Sequence, residues 1–206
     1  MYFFTADLHL GHDNKRGGII EYCKRPFRNL DHMDQALIDN WNSVVRAKDV
    51  VVVAGDFTLH HDPELVRYLY IRYLKGNIIW VKGNHDHWLR GADKRHMYIK
   101  KIDGQMVHVS HYPLRTWAGQ NRQRTWQLHG HSHGMLEPYP NQWDVGVDAN
   151  NYYPVSMDQL RGLITQDDTA GEGRRVMPDE NGSYIQVRSG SNCEGQLAPA
   201  YAGNPA

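Results

Sequence analysis

The 206-residue chain is 40% hydrophobic and carries 23 basic against 23 acidic side chains. That length and apolar content suit one domain with a sizeable core, and the cancelling charges steer it globally toward neither nucleic acid nor membrane. Cys23 and Cys193 are too far apart, in unlike contexts, for a disulfide framework or zinc-finger spacing. No apolar run approaches roughly 18 residues and no basic leader precedes the first strand, so the expectation is a cytoplasmic protein in a reducing compartment.

Tyr2-Phe3-Phe4 reads as a short strand that leads into Asp7-Leu8-His9. On a strand, residues two apart share a face, so one metal ion can take both side chains. Asp31 to Val45 has helical periodicity through Met33, Ala36, Leu37, Asn40, Trp41 and Val44, with Asp31 as the N-cap. Val50 to Val53 is a β-branched run that fits a fully buried strand, and it delivers Gly55-Asp56. A carboxylate there is costly unless paired or coordinated. Its two oxygens can bridge two cations, or the residue can cap the next segment.

Pro63-Glu64 opens a further helix, with Leu65, Val66, Leu69, Ile71, Tyr73 and Leu74 as apolar positions and Gly76-Asn77 as its stop. The strand Ile78 to Val81 then delivers Gly83-Asn84-His85-Asp86. Asn84 offers a neutral oxygen ligand. His85 can stay free of metal and act on a leaving group or a bound phosphoryl oxygen. Gly83 gives a sharp exit from the strand, and Asp86 either orients His85 or holds the loop. His87 is a solvated neighbour. This β-α-β-α-β alternation predicts an α/β fold with a partly parallel sheet, whose ligands bind beyond the carboxyl ends of the strands.

The second half changes rhythm. Lys100 to Ile102, Met106 to Ser110 and Trp126 to His129 read as strands, with Asp103-Gly104 as a hairpin signal. His111 follows one strand and Gly130-His131-Ser132-His133 another, the two histidines repeating the same-face spacing. His108 and His129 read as packing histidines, and His60, His61 and His96 as solvent-facing. Val145-Gly146-Val147 is expected as a short strand and Met157 to Ile164 as a last helix or turn. Residues 166–206 hold nine Gly or Pro and one candidate strand, Tyr184 to Val187. They are expected as an appended hairpin with a loose tail.

All 13 histidines lie between positions 9 and 133, so the chemistry belongs to the first two-thirds. Strand ends that deliver carboxylate, amide and imidazole donors together point to a pair of divalent ions. No Ser-His-Asp, Walker or dinucleotide signature competes.

In order, D-x-H, G-D, G-N-H-[DE], H and G-H-x-H resemble the signature of the calcineurin-like metallophosphoesterase superfamily, with every element present from Asp7 to His133. The likeness extends into Asp144-Val145-Gly146-Val147-Asp148. It is closest to a small bacterial and phage branch that opens Thr-Ala-Asp-Leu-His-Leu-Gly-His and continues through Cys-Lys-Arg-Pro-Phe to Trp41-Asn42. The resemblance implies an α/β/β/α sandwich of two facing sheets flanked by helices, with a phosphoesterase domain over residues 1–165. It implies one ion on Asp7, His9, Asp56 and His133 and a second on Asp56, Asn84, His111 and His131, with Asp56 bridging. His85 is then the non-ligand catalytic histidine, supported by Asp86, and a metal-bridging hydroxide attacks phosphorus. Mixed nitrogen and oxygen donors suit Mn, Fe, Zn, Co or Ni and argue against Ca. Short insertions between motifs leave no room for a large cap.

The stretch Pro113 to Arg124 must pass the rim of such a site. Its Arg115, Arg122 and Arg124 can guide a phosphate while Trp117 or Tyr112 stacks on a base, or it can be an ordinary solvated loop. Trp88-Leu89-Arg90 and Lys94-Arg95 follow the catalytic loop in a similar way. His12 and Asn14 are further candidates for contact with ligands or substrate. The expected activity is hydrolysis of phosphomonoesters or phosphodiesters, with a nucleotide or nucleic-acid end as the favoured substrate and no membrane partner. The alternatives are a catalytically silent scaffold, which predicts gaps among the ligands that the sequence lacks, and a phosphomonoesterase for phosphoproteins or small metabolites. A UDP-sugar-lipid pyrophosphatase shares the Asp-Leu-His opening, but the apolar insertion it needs for acyl chains is missing.

Overall fold

The structure is a computed structural model that describes residues 1–12, 18–120, 125–167, 174–178 and 184–188. The first three strands are β1 (Tyr2–Thr5), β2 (Val50–Val53) and β3 (Asn77–Trp80), joined through α1 (Ile19–Cys23), α2 (Leu30–Val44) and α3 (Pro63–Leu69). They run parallel, and β8 (Val155–Ser156) adds an antiparallel edge, giving the order β3-β2-β1-β8. A second sheet has the order β4-β5-β6-β7 from β4 (Met97–Ile102), β5 (Gln105–Ser110), β6 (Thr125–His129) and β7 (Gln142–Asp144). Only its β4–β5 pair is antiparallel.

Period-two alternation divides the first sheet between two cores. Phe4 and Val52 face Val107, Val109 and Leu128 of the second sheet, with Met157, Leu160 and Ile164 of α4 (Met157–Asp167) closing that layer. Phe3, Val51 and Val53 point the other way, onto Leu37 and Trp41 of α2 and Val66 of α3. The result is the two-sheet sandwich with flanking helices expected from the resemblance. The carboxyl ends of β1, β2, β3, β5 and β6 gather on one side.

Several boundaries move. The N-cap of α2 is Asn29, whose side chain accepts the His32 N–H at 2.9 Å, so Asp31 lies in the first turn and favours the helix dipole instead. α3 ends at Leu69 because Tyr70 leaves helical dihedrals (φ −128°, ψ −59°), and Ile71–Tyr73 form a separate 3-10 turn. Asn77 opens β3 opposite Val50 and does not cap a helix. Asp103 and Gly104 both have positive φ (47° and 87°), as a two-residue type I′ hairpin requires. Val145 to Val147 is no strand. Gly146 makes a single bridge to Ala6, and Val147–Ala149 is a 3-10 turn that ties the two sheets together beside the site.

In the C-terminal part, β9 (Arg174–Pro178) pairs antiparallel with β10 (Tyr184–Arg188), Tyr184 opposite Pro178. No helix among the described residues is long and apolar enough to cross a membrane.

Candidate metal centre

The donor-bearing segments are loops just beyond the strands. Asp7 and His9 lie past the end of β1 with φ of 58° and 52°, and His131 and His133 repeat that left-handed pair at 66° and 49°. Same-face strand geometry therefore does not bring these pairs together. In each loop the left-handed residues alternate with a buried one, Leu8 or Ser132. Asp56 is left-handed as well, at 53°. Each such non-glycine residue costs on the order of 1 kcal/mol or more, which the surroundings must offset. They do so by prolonging the β1–β2 ladder: Asp7 N–H reaches Gly55 O at 3.0 Å and His9 N–H reaches Asp56 O at 3.0 Å. In the second sheet the Asp144 carboxylate accepts from Ser132 Oγ at 2.7 Å and Gly134 N–H at 2.8 Å.

These loops converge. Ligand-type atoms of Asp7, His9 and His133 lie within 4.8 Å of one another, and so do those of Asp56, His111 and His131. Asp56 stands between the groups, its Oδ2 3.7 Å from His9 Nε2 and 3.3 Å from His111 Nε2. Asn84 Oδ1 joins the second group, 2.9 Å from His111 Nε2. His85 sits at the edge, with Nε2 3.9 Å from Asp56 Oδ2 and a side chain 39% exposed. Its backbone N–H donates to Asp56 Oδ1 at 2.9 Å.

Two of these donors are orphans: Asp7 Oδ1 and His9 Nε2 are fully buried with no hydrogen-bond partner. Buried polar atoms are rarely left so, and lone pairs aimed at one point fit divalent ions. The motif glycines keep that space open. A Cβ on Gly83 would lie 2.1 Å from Asp56 Oδ1, so Gly83 permits close approach to a donor and does not serve as the sharp turn expected of it.

The electrostatics favour a cation. Burial pushes the Asp7 carboxyl well above its ordinary pKa, and Asp144, Asp56 and Asp148 push it further. Burial also acts upward on Asp56, but the His111 hydrogen bond and charge, the His85 N–H and His9 outweigh it and hold Asp56 down at about 2. Burial drives His9 and His131 toward the neutral imidazole, the form that binds metal. Three imidazoles have Nδ1 occupied, and in His9 and His111 Nε2 faces Asp56. His111 Nδ1 lies 3.0 Å from Ala54 O, His9 Nδ1 3.0 Å from His12 Nδ1, and His133 Nδ1 2.7 Å from Asp148 Oδ2.

Among the described residues, the Asp86 carboxylate makes no hydrogen bond to His85. Its oxygens accept the N–H groups of Asp56, Gly83 and Phe57 at 2.7, 2.9 and 2.9 Å and the Trp88 indole at 3.2 Å. Of its two expected roles it has the loop-holding one.

The groups open onto a cavity of about 310 Å³ whose lining includes His9, His12, Ile19, Tyr22, His85 and His133. His12 is the one substrate candidate among the lining residues. Tyr112 stands beside it, ring 4.6 Å from His131 and hydroxyl donating to Asn84 Oδ1 at 3.3 Å. Trp117 folds back on its own sheet, donating to Thr125 O at 3.4 Å with its ring against Tyr139, and Arg115 is exposed outside the lining. Asn14, Arg122 and Arg124 lie outside the described residues. Trp88 and Leu89 belong to the core, not to a rim. His108 and His129 are buried and His61, His87 and His96 exposed, as expected, whereas His60 stacks on Tyr70.

Three relevant residues received no role from the sequence. Tyr22 is 71% exposed and meets His133 edge-on. Arg25 and Asp148 form a buried pair behind the site. Each of the two falls inside a stretch that carries the resemblance, which marks the residues but not their pairing.

The family whose sequence model is described as calcineurin-like phosphoesterase matches residues 2–186. An uncharacterized protein of Methanocaldococcus jannaschii is 34% identical, the match covering 79% of this chain and 90% of that protein. The gene 66 protein of Mycobacterium phage L5 is 26% identical over 79% of this chain and 93% of its own length. Among solved structures, a protein of unknown function from Aquifex aeolicus has the same fold, with a TM-score of 0.58 and 21% identity over 80% of this chain and 99% of that one.

Proposed function

The chain belongs to the calcineurin-like phosphoesterase family, and from that premise we propose that it hydrolyses phosphoesters with two divalent transition-metal ions. The observation that carries this reading is the position of Asp56 Oδ2, within 3.7 Å of His9 Nε2 and 3.3 Å of His111 Nε2, with His85 Nε2 3.9 Å away. Asp7, His9, Asp56 and His133 hold one ion, and Asp56, Asn84, His111 and His131 the other. Bound ions supply Lewis acidity toward the phosphoryl oxygens and an acidified water as nucleophile. Mn, Fe, Zn, Co and Ni all suit this donor set. Every group in the scheme falls within residues 1–165, which we take as the catalytic domain with 166–206 as an extension, although the family match runs on to residue 186, in β10.

The chain's own part is to hold and aim. His85 lines the cavity with its ring 39% exposed and Nε2 3.9 Å from Asp56 Oδ2, so it protonates the departing oxygen or donates to a phosphoryl oxygen. Its backbone bond to Asp56 Oδ1 fixes it relative to the bridging carboxylate. Tyr22 and Tyr112, 71% and 49% exposed, place aromatic rings beside His133 and His131. Those rings favour a nucleotide or nucleic-acid end over a small metabolite, because any base can stack on them. The complete donor set disfavours a silent scaffold.

The test is a panel of nucleoside and aryl phosphomonoesters and phosphodiesters with Mn, Zn, Ni and Co. Metal-dependent turnover that disappears in Asp56→Asn, with heat unfolding still cooperative, is the expected result. No turnover with any metal, or unchanged turnover in the variant, would overturn the reading.

A further inference from the structure

Arg25 is buried just beyond the left-handed Lys24 that ends α1 (φ 52°). Its guanidinium makes a bidentate pair with Asp148, Nε to Oδ1 at 2.8 Å and Nη2 to Oδ2 at 2.7 Å. Of the remaining N–H groups, two donate to backbone carbonyls, Asp7 O at 2.6 Å and Leu8 O at 2.9 Å, and one to Met33 Sδ at 3.4 Å. Asp148 Oδ2 in turn accepts from His133 Nδ1 at 2.7 Å. One planar group therefore reaches Asp7 through its own carbonyl, His9 through the carbonyl of the preceding residue, and His133 through a carboxylate. These three residues are the members of one donor group. Among the described residues no buried ion pair stands behind the imidazoles of the other group: His111 Nδ1 lies 3.0 Å from the neutral Ala54 carbonyl and 3.9 Å from Asp7 Oδ1, His131 is exposed, and of the donors Asp86 holds Asp56, which the two groups share.

We propose that Arg25 and Asp148 are positioning residues for the ion held by Asp7, His9 and His133, and that they set its affinity separately from that of the second ion. The inference rests on the reading that these groups hold metal. The Arg25 bonds fix the left-handed backbone from which Asp7 and His9 project. Asp148 fixes His133 as the Nδ1–H tautomer, so that the Nε2 lone pair points into the site. An ion pair that merely joined α1 to the Val147–Ala149 turn would do neither. Removing it would loosen the fold and leave the ratio of the two metal affinities unchanged.

The measurement is titration of the metal-free full chain with Mn2+ or Zn2+, followed calorimetrically. The wild type is expected to bind two ions. In Asp148→Asn one affinity falls roughly 10- to 100-fold while the other stays within about twofold. Arg25→Lys keeps a charge for Asp148 but cannot also span both carbonyls, so it weakens the same ion by less. Asp158→Asn, on an exposed part of α4, changes neither. Loss of a buried partner can also unfold a chain. Long-range proton–nitrogen spectra of the metal-free wild type, with His133 assigned by its absence in His133→Gln, therefore give a second reading that needs no change at the pair. An Nδ1–H tautomer is expected.

An Nε2–H tautomer, unchanged affinities in Asp148→Asn, or an equal loss at both sites would overturn the proposal. Hydrolysis is not the readout. A chain that binds two ions yet turns over no ester would count against the proposed reaction and leave the pair's role standing. A wild type that binds no divalent ion would sink both.

Discussion

The Asp86 carboxylate accepts the backbone N–H of Asp56 at 2.7 Å across 30 positions of sequence. With the His9 N–H bond to Asp56 O, it helps to hold the proposed bridging residue in its left-handed conformation, and the same carboxylate ties down Phe57, Gly83 and the Trp88 indole. A second acid in a phosphoesterase loop invites an acid–base role. The geometry gives it a scaffolding one, because each bond it accepts comes from a buried donor and none from His85.

Asp86→Ala is accordingly expected to damage stability and metal binding together. Each buried donor left without a partner costs about 1–3 kcal/mol, so the loss should be on the order of 3 kcal/mol or more. Urea unfolding of the metal-free protein checks the first part and metal content after dialysis the second. An Asp86→Ala chain of ordinary stability that has lost only turnover would restore the catalytic reading of this residue.

His85→Asn should behave in the opposite way. The ring contributes no buried hydrogen bond, and its backbone N–H to Asp56 survives the substitution. Turnover is expected to fall by about 10²–10⁴-fold, the usual worth of a positioned general acid, with metal content and unfolding temperature unchanged. Loss of one ion in this variant would make His85 a ligand, which its place within 4.8 Å of His9 and Asp56 makes a pointed test.

The contrast between these two neighbours shows what the sequence conveys and what it hides. Donor residues that follow apolar runs are visible in one dimension, and so is the α/β order that sends them to one side of the sheets. The left-handed φ of Asp7, His9, Asp56, His131 and His133 is not visible, because it is imposed by bonds from other loops. Strand periodicity correctly paired Asp7 with His9, but through a geometry the loop does not have. Arg25 escaped a role for a related reason. Its partners lie 18 and 123 positions away, and no local pattern reports such contacts. Position next to the motifs suggests a rim for Trp117 and Trp88, but the Trp117 indole donates to Thr125 O at the start of β6 and the Trp88 indole to Asp86 within its own loop.

Tyr22 provides the test of substrate class. If its exposed ring stacks on a base, Tyr22→Ala should lower kcat/KM for a nucleoside phosphodiester by roughly 5- to 150-fold, equivalent to about 1–3 kcal/mol per stacked base. The loss should appear mainly in KM, and a methyl phosphodiester without a ring should lose almost nothing. Equal losses on both substrates would mean that Tyr22 acts on His133, which it meets edge-on at 6.1 Å, and not on a base.

Asp34 predicts a pH dependence away from the metal groups. Its carboxylate accepts the Gly11 N–H, at 3.0 Å for the shorter contact, and burial pushes its pKa up to about 7, the Gly11 and Tyr70 hydrogen bonds offsetting only part of that rise. In the unfolded chain the same group titrates at about 3.9. Below that value both states hold the proton and the folded state carries no penalty. As pH climbs from about 4 to 7 the unfolded chain releases its proton first, so this group's contribution to stability falls across the window and is constant above it. Asp34→Asn keeps an oxygen for Gly11 and cannot ionise. Its stability relative to wild type, measured by urea unfolding of the metal-free proteins, should therefore rise steadily from pH 4 to pH 7 and then level off. Taking the difference between the two proteins cancels the opposite trend of Asp56 and Asp148, whose carboxyls lie below their ordinary range. A difference that stays flat over that window would mean that Asp34 is ionised in the folded protein throughout, with Gly11 and Tyr70 outweighing its burial.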